Sequence, residues 1–349
     1  MLERFKHLFS EEARREAESL FGLTGVPWTL LDGSHSYVYD YDQVNRNVVL
    51  KITHIMHRSA NQINGEQDFL NYLEVNDVAV SRPVLSIEGK LVEMIPAQEG
   101  EFLAWAFEKA PGALVEWTAW TPEMYSKWGA VLGRMHRLTK TYRPSDQPWR
   151  RPTWSEDRYW DFSIDTPDIE RTLLEKRRQH REWLDSLPTG VDSFGLIHSD
   201  LHQWNFFWDG WDVWPFDFDN LQYDWFAMDF AAIIQNVIIC QANHHALGQH
   251  EYESQGTSMD SPAFLDYFMW AFMEGYRSEN PLSTGCMNDV PGMLDRRHLS
   301  IYFDKASSEC FRAKTPEEQA SGFPWRTLDQ LRHEVETDFW SQFDFSRYS

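Results

Sequence analysis

Hydrophobic and polar positions follow two different periods along the chain. Over the first 22 residues, apolar side chains recur at near-helical spacing up to Gly22, which predicts an amphipathic leading helix. Short runs of β-branched and aromatic residues over 28–53 are separated by turn residues and predict two or three antiparallel strands. Residues 60–75 return to the helical period, and residues 84–108 again have the pattern of strands. The first 110 residues should therefore be rich in β-structure.

Helical patterns dominate after Ala110-Pro111-Gly112, where we expect the boundary between two lobes. The predicted helices cover residues 122–142, 167–187, 225–242, 262–277, 294–312 and 326–343, and only the segment 195–218 departs from the pattern. The sequence thus predicts a β-rich domain over residues 1–110 and a mainly helical domain over residues 111–349.

Composition and charge narrow the function classes. The chain has 349 residues with 32 Lys and Arg against 54 Asp and Glu, so its formal net charge is −22. Such a chain repels phosphate backbones and anionic lipids, so we expect neither nucleic-acid binding nor membrane binding, and a cationic small molecule is the better guest. No apolar run is long enough to cross a bilayer, no signal peptide is predicted, and the three cysteines are far apart. These features predict a cytoplasmic location for the protein, and they leave its oligomeric state open.

One segment carries residues suited to phosphoryl transfer. Asp200 and Asn205 follow a strand-like stretch and are five positions apart, which is the spacing of the Asp and Asn in the catalytic loop of protein kinases. Asp217 begins the sequence Asp-Phe-Asp, where a metal-binding loop would follow. This chemistry needs a carboxylate to orient the attacking hydroxyl and hard oxygen ligands for Mg²⁺. The joint match is specific, whereas each part alone is a weak signal.

With these motifs the chain resembles the aminoglycoside phosphotransferase and choline kinase-like family. The matching segments are HSDLHQWN at 198–205, DFD at 217–219 and MDFA at 228–231, where the family commonly has H-G-D-x-H-x-x-N, D-x-x or D-F-D, and Y-D-x-A. The resemblance runs from about residue 31 to residue 232. It implies an α+β, bilobal, protein-kinase-like fold with a small antiparallel β-rich lobe, a larger helical lobe, and ATP and Mg²⁺ as cofactors.

The resemblance also implies a role for each matching residue. Asp200 looks like the catalytic base, and Asn205 and Asp217 look like the magnesium ligands. His198 corresponds to a residue that braces the loop, and Asp229 to a residue that supports the loop from behind.

Two residues of the first lobe complete the resemblance. Lys51 lies on a predicted strand among apolar neighbours, and Glu66 lies about one turn into the next helix. They look like the strand lysine that contacts the α- and β-phosphates and its helix glutamate partner. Either residue alone is more simply a surface residue, but their order and spacing relative to the downstream loop favour the pair.

The expected nucleotide loop departs from the protein-kinase pattern because it holds a single glycine. Gly33 and Ser34 could offer backbone N–H groups to a phosphate, or they could form an ordinary hairpin turn, and the sequence does not decide between these alternatives. The adenine is expected near Phe107, where the resemblance implies the hinge between the lobes.

Taken together, these residues predict an ATP-dependent phosphotransferase that acts on a hydroxyl of a small, amine-bearing molecule. The resembled family acts on aminoglycosides, choline, ethanolamine, homoserine and related amino alcohols. Acidic residues after position 240 could line an acceptor pocket, although a solvated acidic face also explains them; they are Glu251, Glu253, Asp260, Asp266 and Glu274. A kinase-like binding or structural protein without turnover is the alternative, which the presence of all five site residues disfavours. Protein kinase activity is disfavoured because no A-P-E-type segment follows Asp217.

Overall fold

The computed structural model describes residues 7–31, 36–43, 46–116, 119–160, 171–246, 261–283 and 285–307, together with short pieces between residues 332 and 349. These parts of the chain form ten strands and seven α-helices. The strands are β1 Trp28–Leu31, β2 Tyr37–Gln43, β3 Arg46–His54, β4 Pro83–Val84, β5 Glu93–Pro96, β6 Glu101–Glu108, β7 Phe194–Ile197, β8 Phe206–Trp208, β9 Val213–Pro215 and β10 Gln222–Trp225. The helices are α1 Glu11–Leu20, α2 Ala60–Val75, α3 Pro122–Thr139, α4 Arg171–Ser186, α5 Phe226–Ala246, α6 Ser261–Glu279 and α7 Cys286–Ser307.

The chain divides into two units that are both discontinuous in sequence. The first unit comprises Met1–Leu114, Thr141–Arg151 and Asn205–Asp219, and the second comprises Val115–Lys140, Pro152–Trp204 and Asn220–Ser349. The single boundary near residue 110 stays a prediction, since two later segments return to the first unit. The second of these segments carries both predicted metal ligands into the unit that contains Lys51.

The six strands before residue 110 form one antiparallel sheet in the first unit. Its order is β1-β2-β3-β6-β4, and β5 also pairs with β6. In the central pair of strands, Lys51 lies opposite Trp105 and Val49 lies opposite Phe107. Because successive residues of a strand point to opposite faces, these four side chains share one face. The alternate residues of β3 lie on the other face, in the same hydrophobic core as α1.

Helix α2 is defined by local signals and by close packing. Ser59 and Gln62 form a capping box, in which each side chain accepts a hydrogen bond from the other residue's backbone N–H. On the body of the helix, a Cβ at Gly65 would come within 2.1 Å of the carbonyl oxygen of Trp149. A glycine is therefore needed where the chain that follows α3 packs against α2.

In the second unit, glycines allow α3 and α6 to approach each other closely. A Cβ at Gly129 would lie 1.8 Å from the carbonyl oxygen of Phe272, and a Cβ at Gly275 would lie 1.8 Å from the carbonyl oxygen of Ser126. Both positions would overlap backbone atoms, which cannot move aside as a flexible side chain can. The two helices therefore form a tight backbone-to-backbone contact.

The α+β class predicted from the sequence is confirmed, with some differences in the elements. The helix predicted over 294–312 begins at Cys286 instead, although Pro291 and Gly292 resemble helix breakers. Gly292 packs against the ring of Trp183, where a Cβ would lie 2.5 Å from Cη2, so tertiary packing explains the glycine at this position of the helix. Most of the helix predicted over 326–343 lies outside the described residues.

Between residue 218 and the helix predicted from residue 225, the structure has one further strand, and α5 begins at Phe226, one residue from its predicted start. Strand β10 pairs antiparallel with β7, from Gln222 opposite Ile197 to Trp225 opposite Phe194. This pair leads directly into the loop that contains Asp200. Among the described residues, no helix has both the length and the apolar character needed to span a membrane.

Candidate active site

Lys51 and Asp217 meet in the first unit, although 166 residues separate them in sequence. The Nζ atom of Lys51 donates a hydrogen bond to Oδ1 of Asp217 over 2.7 Å. Burial alone would lower the pKa of Lys51, but the charges of Asp217, Asp219 and Glu66 raise it well above its usual value. The lysine is therefore fully charged near neutral pH, as the binding of phosphate oxygens requires.

Phe107 lies on the sheet face that carries Lys51. Its side chain is 8% exposed and lies in register with Val49. The neighbouring Trp105, which sequence reasoning missed, is fully buried with its ring centre 5.9 Å from Nζ of Lys51. A positive charge near an indole ring gains from the ring's negative face. The hinge role expected of Phe107 stays a prediction, while Trp105 is a further aromatic residue beside the lysine.

A short hairpin brings the two predicted metal ligands to one place. Strands β8 and β9 pair antiparallel, with Phe206 opposite Pro215 at the open end. One residue further out, the N–H of Phe216 donates to the carbonyl oxygen of Asn205 over 2.9 Å. Asn205 and Asp217 therefore lie next to each other at the open end of the hairpin, on the unit that contains Lys51.

The donor set at this end of the hairpin fits a magnesium–nucleotide complex. Mg²⁺ usually takes one or two oxygen ligands from the protein and the others from phosphates and water. Asp217 offers a carboxylate and Asn205 an amide oxygen, and Lys51 adds a positive charge beside them. Within the described parts of the chain, no group of three or more His, Cys, Asp or Glu side chains could hold a metal ion. The carboxylate of Asp217 and the amide oxygen of Asn205 are oxygen donors of the kind that Mg²⁺ takes from proteins.

Asp219 is held inside the first unit by positive charges. Its carboxylate lies 3.9 Å from His57 and 4.0 Å from Arg58, and its carbonyl oxygen accepts a hydrogen bond of 2.6 Å from Arg151. Burial would raise the pKa of Asp219, but His57 and the charges of Lys51, Arg58 and Arg151 hold it well below its usual range. The carboxylate of Asp219 is therefore ionised at neutral pH.

The expected ion pair between Lys51 and Glu66 is not formed. Lys51 contacts Asp217 instead, while Glu66 is 1% exposed and its buried Oε2 has no hydrogen-bond partner among the described residues. Burial, reinforced by the charge of Asp219, raises the pKa of Glu66 to about 7. Asp217, whose side chain is about half exposed, is the carboxylate that accepts the hydrogen bond of Lys51.

The predicted base, Asp200, lies on the second unit and is held by side-chain contacts. Arg297 of α7 donates a hydrogen bond to Oδ1 of Asp200 over 2.6 Å, and Nε2 of His202 lies 3.6 Å from Oδ2. Burial would raise the pKa of Asp200, but the charges of Arg297, His202 and His198 outweigh it and lower the pKa. Asp200 is therefore ionised at neutral pH, as a residue that accepts or orients a hydroxyl proton must be.

Asp229 anchors the backbone of this loop. Its two carboxylate oxygens accept hydrogen bonds from the backbone N–H groups of His198, over 3.2 Å, and of Ser199, over 2.6 Å. Ser199 has a left-handed backbone with φ 68°, which side chains other than glycine rarely adopt. A glycine adopts this backbone without strain, which explains why the family motif has a glycine at this point.

A buried chain of hydrogen bonds stands behind Asp229. Nε2 of His136 lies 3.0 Å from Asp229, and Nδ1 of His136 lies 3.0 Å from the hydroxyl of Tyr276, which accepts a further bond from Asn280. Burial lowers the pKa of His136 despite its bond to Asp229. A neutral ring fits this arrangement, with Nε2–H donating to Asp229 and Nδ1 accepting from Tyr276. This series of hydrogen bonds fixes the orientation of the Asp229 carboxylate, which in turn holds the loop that contains Asp200.

Several predicted residues lie elsewhere or outside the described chain. Gly33 and Ser34 of the expected nucleotide loop lie outside the described residues. The same holds for three candidates of the acidic acceptor face, which are Glu251, Glu253 and Asp260. Asp266 is engaged by Arg347 and by the hydroxyl of Tyr348, so it serves as an anchor for the chain terminus. Glu274 is exposed.

Arg297 is the residue nearest the predicted base that the sequence did not reveal. It lies within a predicted helix and belongs to no motif, and 97 residues separate it from Asp200. The only available signal was a basic run, Arg296-Arg297-His298, in an otherwise acidic chain. That signal says nothing about which residue the arginine contacts.

Comparison with known proteins decides the family. The model of the phosphotransferase enzyme family, APH, matches residues 29–265. The chain belongs to this family. The resemblance inferred from the motifs is thereby confirmed, and the loop around Asp200 and the hairpin up to Asp217 both lie within the matched region.

Relatives of this phosphotransferase cover almost its whole length. It is 32% identical over 299 residues to amicoumacin kinase of Bacillus subtilis (strain 168), a match that covers 85% of each chain. The structure of the amicoumacin kinase hAmiN in complex with AMP-PNP, Ca²⁺ and Ami superposes over 100% of both chains with a TM-score of 0.87 and 31% identity. The microcompartment-associated aminopropanol kinase, at 17% identity and a TM-score of 0.71 over 94% of this chain and 98% of its own, shares the fold.

The kinase-like fold, the enzyme class and the cofactors follow from these comparisons. The protein is an ATP-dependent phosphotransferase that acts on a hydroxyl of a small molecule. The prediction of ATP with Mg²⁺ is confirmed, and a divalent ion accompanies the nucleotide analogue in the hAmiN complex.

Proposed function

We propose that this phosphotransferase transfers the γ-phosphoryl group of ATP to a hydroxyl of amicoumacin or of a closely similar amine-bearing molecule. The observation that carries the proposal is the match to two amicoumacin kinases over most or all of the chain, in sequence and in fold. The match includes the helices after residue 220, which belong to the lobe where the family builds its acceptor pocket. A relative that shared only the nucleotide-binding part would not support an acceptor.

The chain's own residues divide the work between nucleotide and acceptor. On the first unit, Lys51 holds phosphate oxygens, while Asn205 and Asp217 hold the magnesium ion. When bound, Mg-ATP supplies the phosphoryl group together with a divalent ion that offsets its charge. On the second unit, Asp200 orients the acceptor hydroxyl and accepts its proton. Phosphoryl transfer is accelerated mainly by positioning and by charge neutralisation, so these residues suffice without a covalent intermediate.

The excess of negative charge supports an amine-bearing acceptor. The net charge of −22 attracts cations over several ångströms and repels competing anions. The arginine beside Asp200 neutralises the carboxylate nearest the reacting hydroxyl. We therefore place the amine of the acceptor away from Asp200, against other acidic groups of the second unit.

The test measures ADP formation by the purified full-length chain with Mg-ATP and a panel of acceptors. The panel contains amicoumacin, an aminoglycoside, choline and aminopropanol, and mass spectrometry identifies the phosphorylated product. We expect kcat/KM for amicoumacin to exceed the values for the other acceptors by at least about tenfold, a difference of about 1.4 kcal/mol in transition-state binding. Equal or higher kcat/KM for another member of the panel would refute the proposed acceptor.

Substitution of Asp200 tests the base. Asp200→Asn removes the proton acceptor but keeps the shape of the side chain, so we expect kcat to fall by about 10²–10⁴-fold while the Kd of ATP stays within about twofold. Asp212→Asn, at an exposed position in the turn of the β8–β9 hairpin, is the matched control and should retain full turnover. Binding of ATP without turnover of any acceptor by the unsubstituted chain would instead support the alternative of a kinase-like binding protein.

A further inference from the structure

Arg297 makes three hydrogen bonds around the predicted base. Its Nη2 donates to Oδ1 of Asp200 over 2.6 Å, its Nη1 donates to the carbonyl oxygen of Ser199 over 3.1 Å, and its Nε donates to Oε1 of Gln235 over 2.7 Å. The three acceptors belong to two different elements, namely the catalytic loop and α5. The arginine itself comes from α7, so three parts of the second unit converge on one guanidinium group.

The surroundings make this contact a rigid one. The side chain of Arg297 is 17% exposed and that of Gln235 is almost completely buried. A guanidinium group is planar, and its donors have fixed directions, so three bonds to three acceptors define its position and its plane. A surface ion pair between two mobile side chains would lack this constraint.

The backbone contacts of the loop leave the side chain of Asp200 to be placed by other means. Asp229 holds the N–H groups of His198 and Ser199, which precede the base. These bonds fix the backbone before Asp200, but they do not set the χ1 and χ2 angles of the aspartate. The bond from Arg297 to Oδ1 restrains these angles, and Oδ2 lies on the side of His202.

We propose that Arg297 is a positioning residue for Asp200, and that its guanidinium group fixes the carboxylate in the orientation from which the base receives the acceptor hydroxyl. The inference rests on the proposed role of Asp200 as base. It assigns Arg297 to the chemical step and not to nucleotide binding. Accurate orientation of a catalytic group is worth orders of magnitude in rate, so the loss of one charged hydrogen bond should be visible in kcat.

The first experiment separates geometry from charge. Arg297→Lys keeps the positive charge but cannot make three bonds of fixed direction, and Arg297→Met removes both features at similar length. We expect kcat to fall by about 10-fold in Arg297→Lys and about 100-fold in Arg297→Met, with the KM for ATP within about twofold of the unsubstituted value. Arg137→Lys, at an arginine of α3 that pairs with Glu279, is the control and should keep its kcat.

Chemical rescue and a double variant exclude a merely structural role. Guanidinium at about 50 mM, far below the molar concentrations that unfold proteins, should restore part of the lost kcat to Arg297→Met in a saturable way, whereas sodium chloride at equal ionic strength should not. In the Asp200→Asn background, Arg297→Met should cause no further loss, because a residue that acts only through the base has nothing left to position. If the kcat losses of the two single variants multiply in the double variant, the proposal is overturned. An absence of rescue of Arg297→Met by guanidinium would overturn it as well.

The pH profile provides a further readout. In the described part of the chain, the charged and titratable groups that act most strongly on Asp200 are Arg297 from α7 and His198 and His202 from its own loop. Removal of the arginine removes a positive charge that lowers the pKa of Asp200. The acidic limb of the plot of kcat against pH should therefore move to higher pH in Arg297→Met. A limb that stays in place would contradict the proposal.

Failure of the proposal and failure of the assigned base can be told apart. An active Asp200→Asn variant would remove the base itself, whereas an inactive Asp200→Asn beside a fully active Arg297→Lys would remove only the role of Arg297. Should Arg297→Met not fold, Gln235→Met removes only the support of Nε. It should then lower kcat by about 3- to 10-fold at an unchanged KM for ATP, and an unchanged kcat would count against the inference.

Discussion

Ser199 combines two unfavourable features in the turn before the predicted base. Its φ of 68° lies in the left-handed region, and its Oγ is buried without a hydrogen-bond partner among the described residues. The family motif has a glycine at this position, which adopts this backbone without steric strain. Replacement of Ser199 by glycine should therefore stabilise the second unit, although most substitutions in a folded protein destabilise it.

The expected gain follows from three contributions. A left-handed backbone costs an L-residue about 1–2 kcal/mol, and a buried hydroxyl without a partner costs about 1–3 kcal/mol. Glycine removes both costs, but it adds about 0.5–1 kcal/mol of backbone entropy to the unfolded chain. The net effect of Ser199→Gly is a stabilisation of at least about 1 kcal/mol. For a unit of roughly 200 residues, this corresponds to an increase in Tm of about 2–4 °C.

A set of three variants resolves the contributions in thermal and denaturant unfolding. Ser199→Ala removes the hydroxyl but keeps the strained backbone, so its gain should fall between those of the unsubstituted chain and Ser199→Gly. Asp77→Gly relieves a left-handed backbone with φ 61° at an exposed position, without a buried hydroxyl, and should shift the stability by less than about 1 kcal/mol. A Tm of Ser199→Gly at or below that of the unsubstituted chain would refute the reasoning.

Two further changes test the packing and the electrostatics. Gly129→Ala places a Cβ 1.8 Å from the backbone oxygen of Phe272, so circular dichroism melts should show a loss of stability of about 1–3 kcal/mol or more. The control Gly190→Ala, whose Cβ would lie 3.9 Å from its nearest atom, should leave the stability unchanged. Burial raises the pKa of Glu66 to about 7, above its unfolded value, so the stability that it contributes is present below pH 4.5 and is lost as the pH rises through 7. Glu66→Gln cannot ionise, so its Tm should not show this loss of stability between pH 4.5 and 8. The control Glu123→Gln, at an exposed position, should show the same loss as the unsubstituted chain. Parallel curves of Tm against pH for Glu66→Gln and the unsubstituted chain would contradict the raised pKa.

The amino-acid sequence alone determined those features that depend on residues close together in the chain. The capping box of Ser59 and Gln62 marks the start of α2 within four residues, and alternating apolar residues mark the central strands. The spacing from Asp200 to Asn205 within one loop, followed by a short hairpin to Asp217, pointed to phosphoryl transfer for the same reason. In each of these cases, the residues that produce the signal lie close together in the sequence.

Tertiary structure alone decided which distant side chains meet. Lys51 donates its hydrogen bond to Asp217, which is 166 residues away in sequence, and not to the nearer Glu66. Arg297 reaches Asp200 across 97 residues, and Gly292 of α7 packs against the ring of Trp183. Burial, charge neighbours and close packing arise only when separate segments come together, so no local pattern in the chain encodes them.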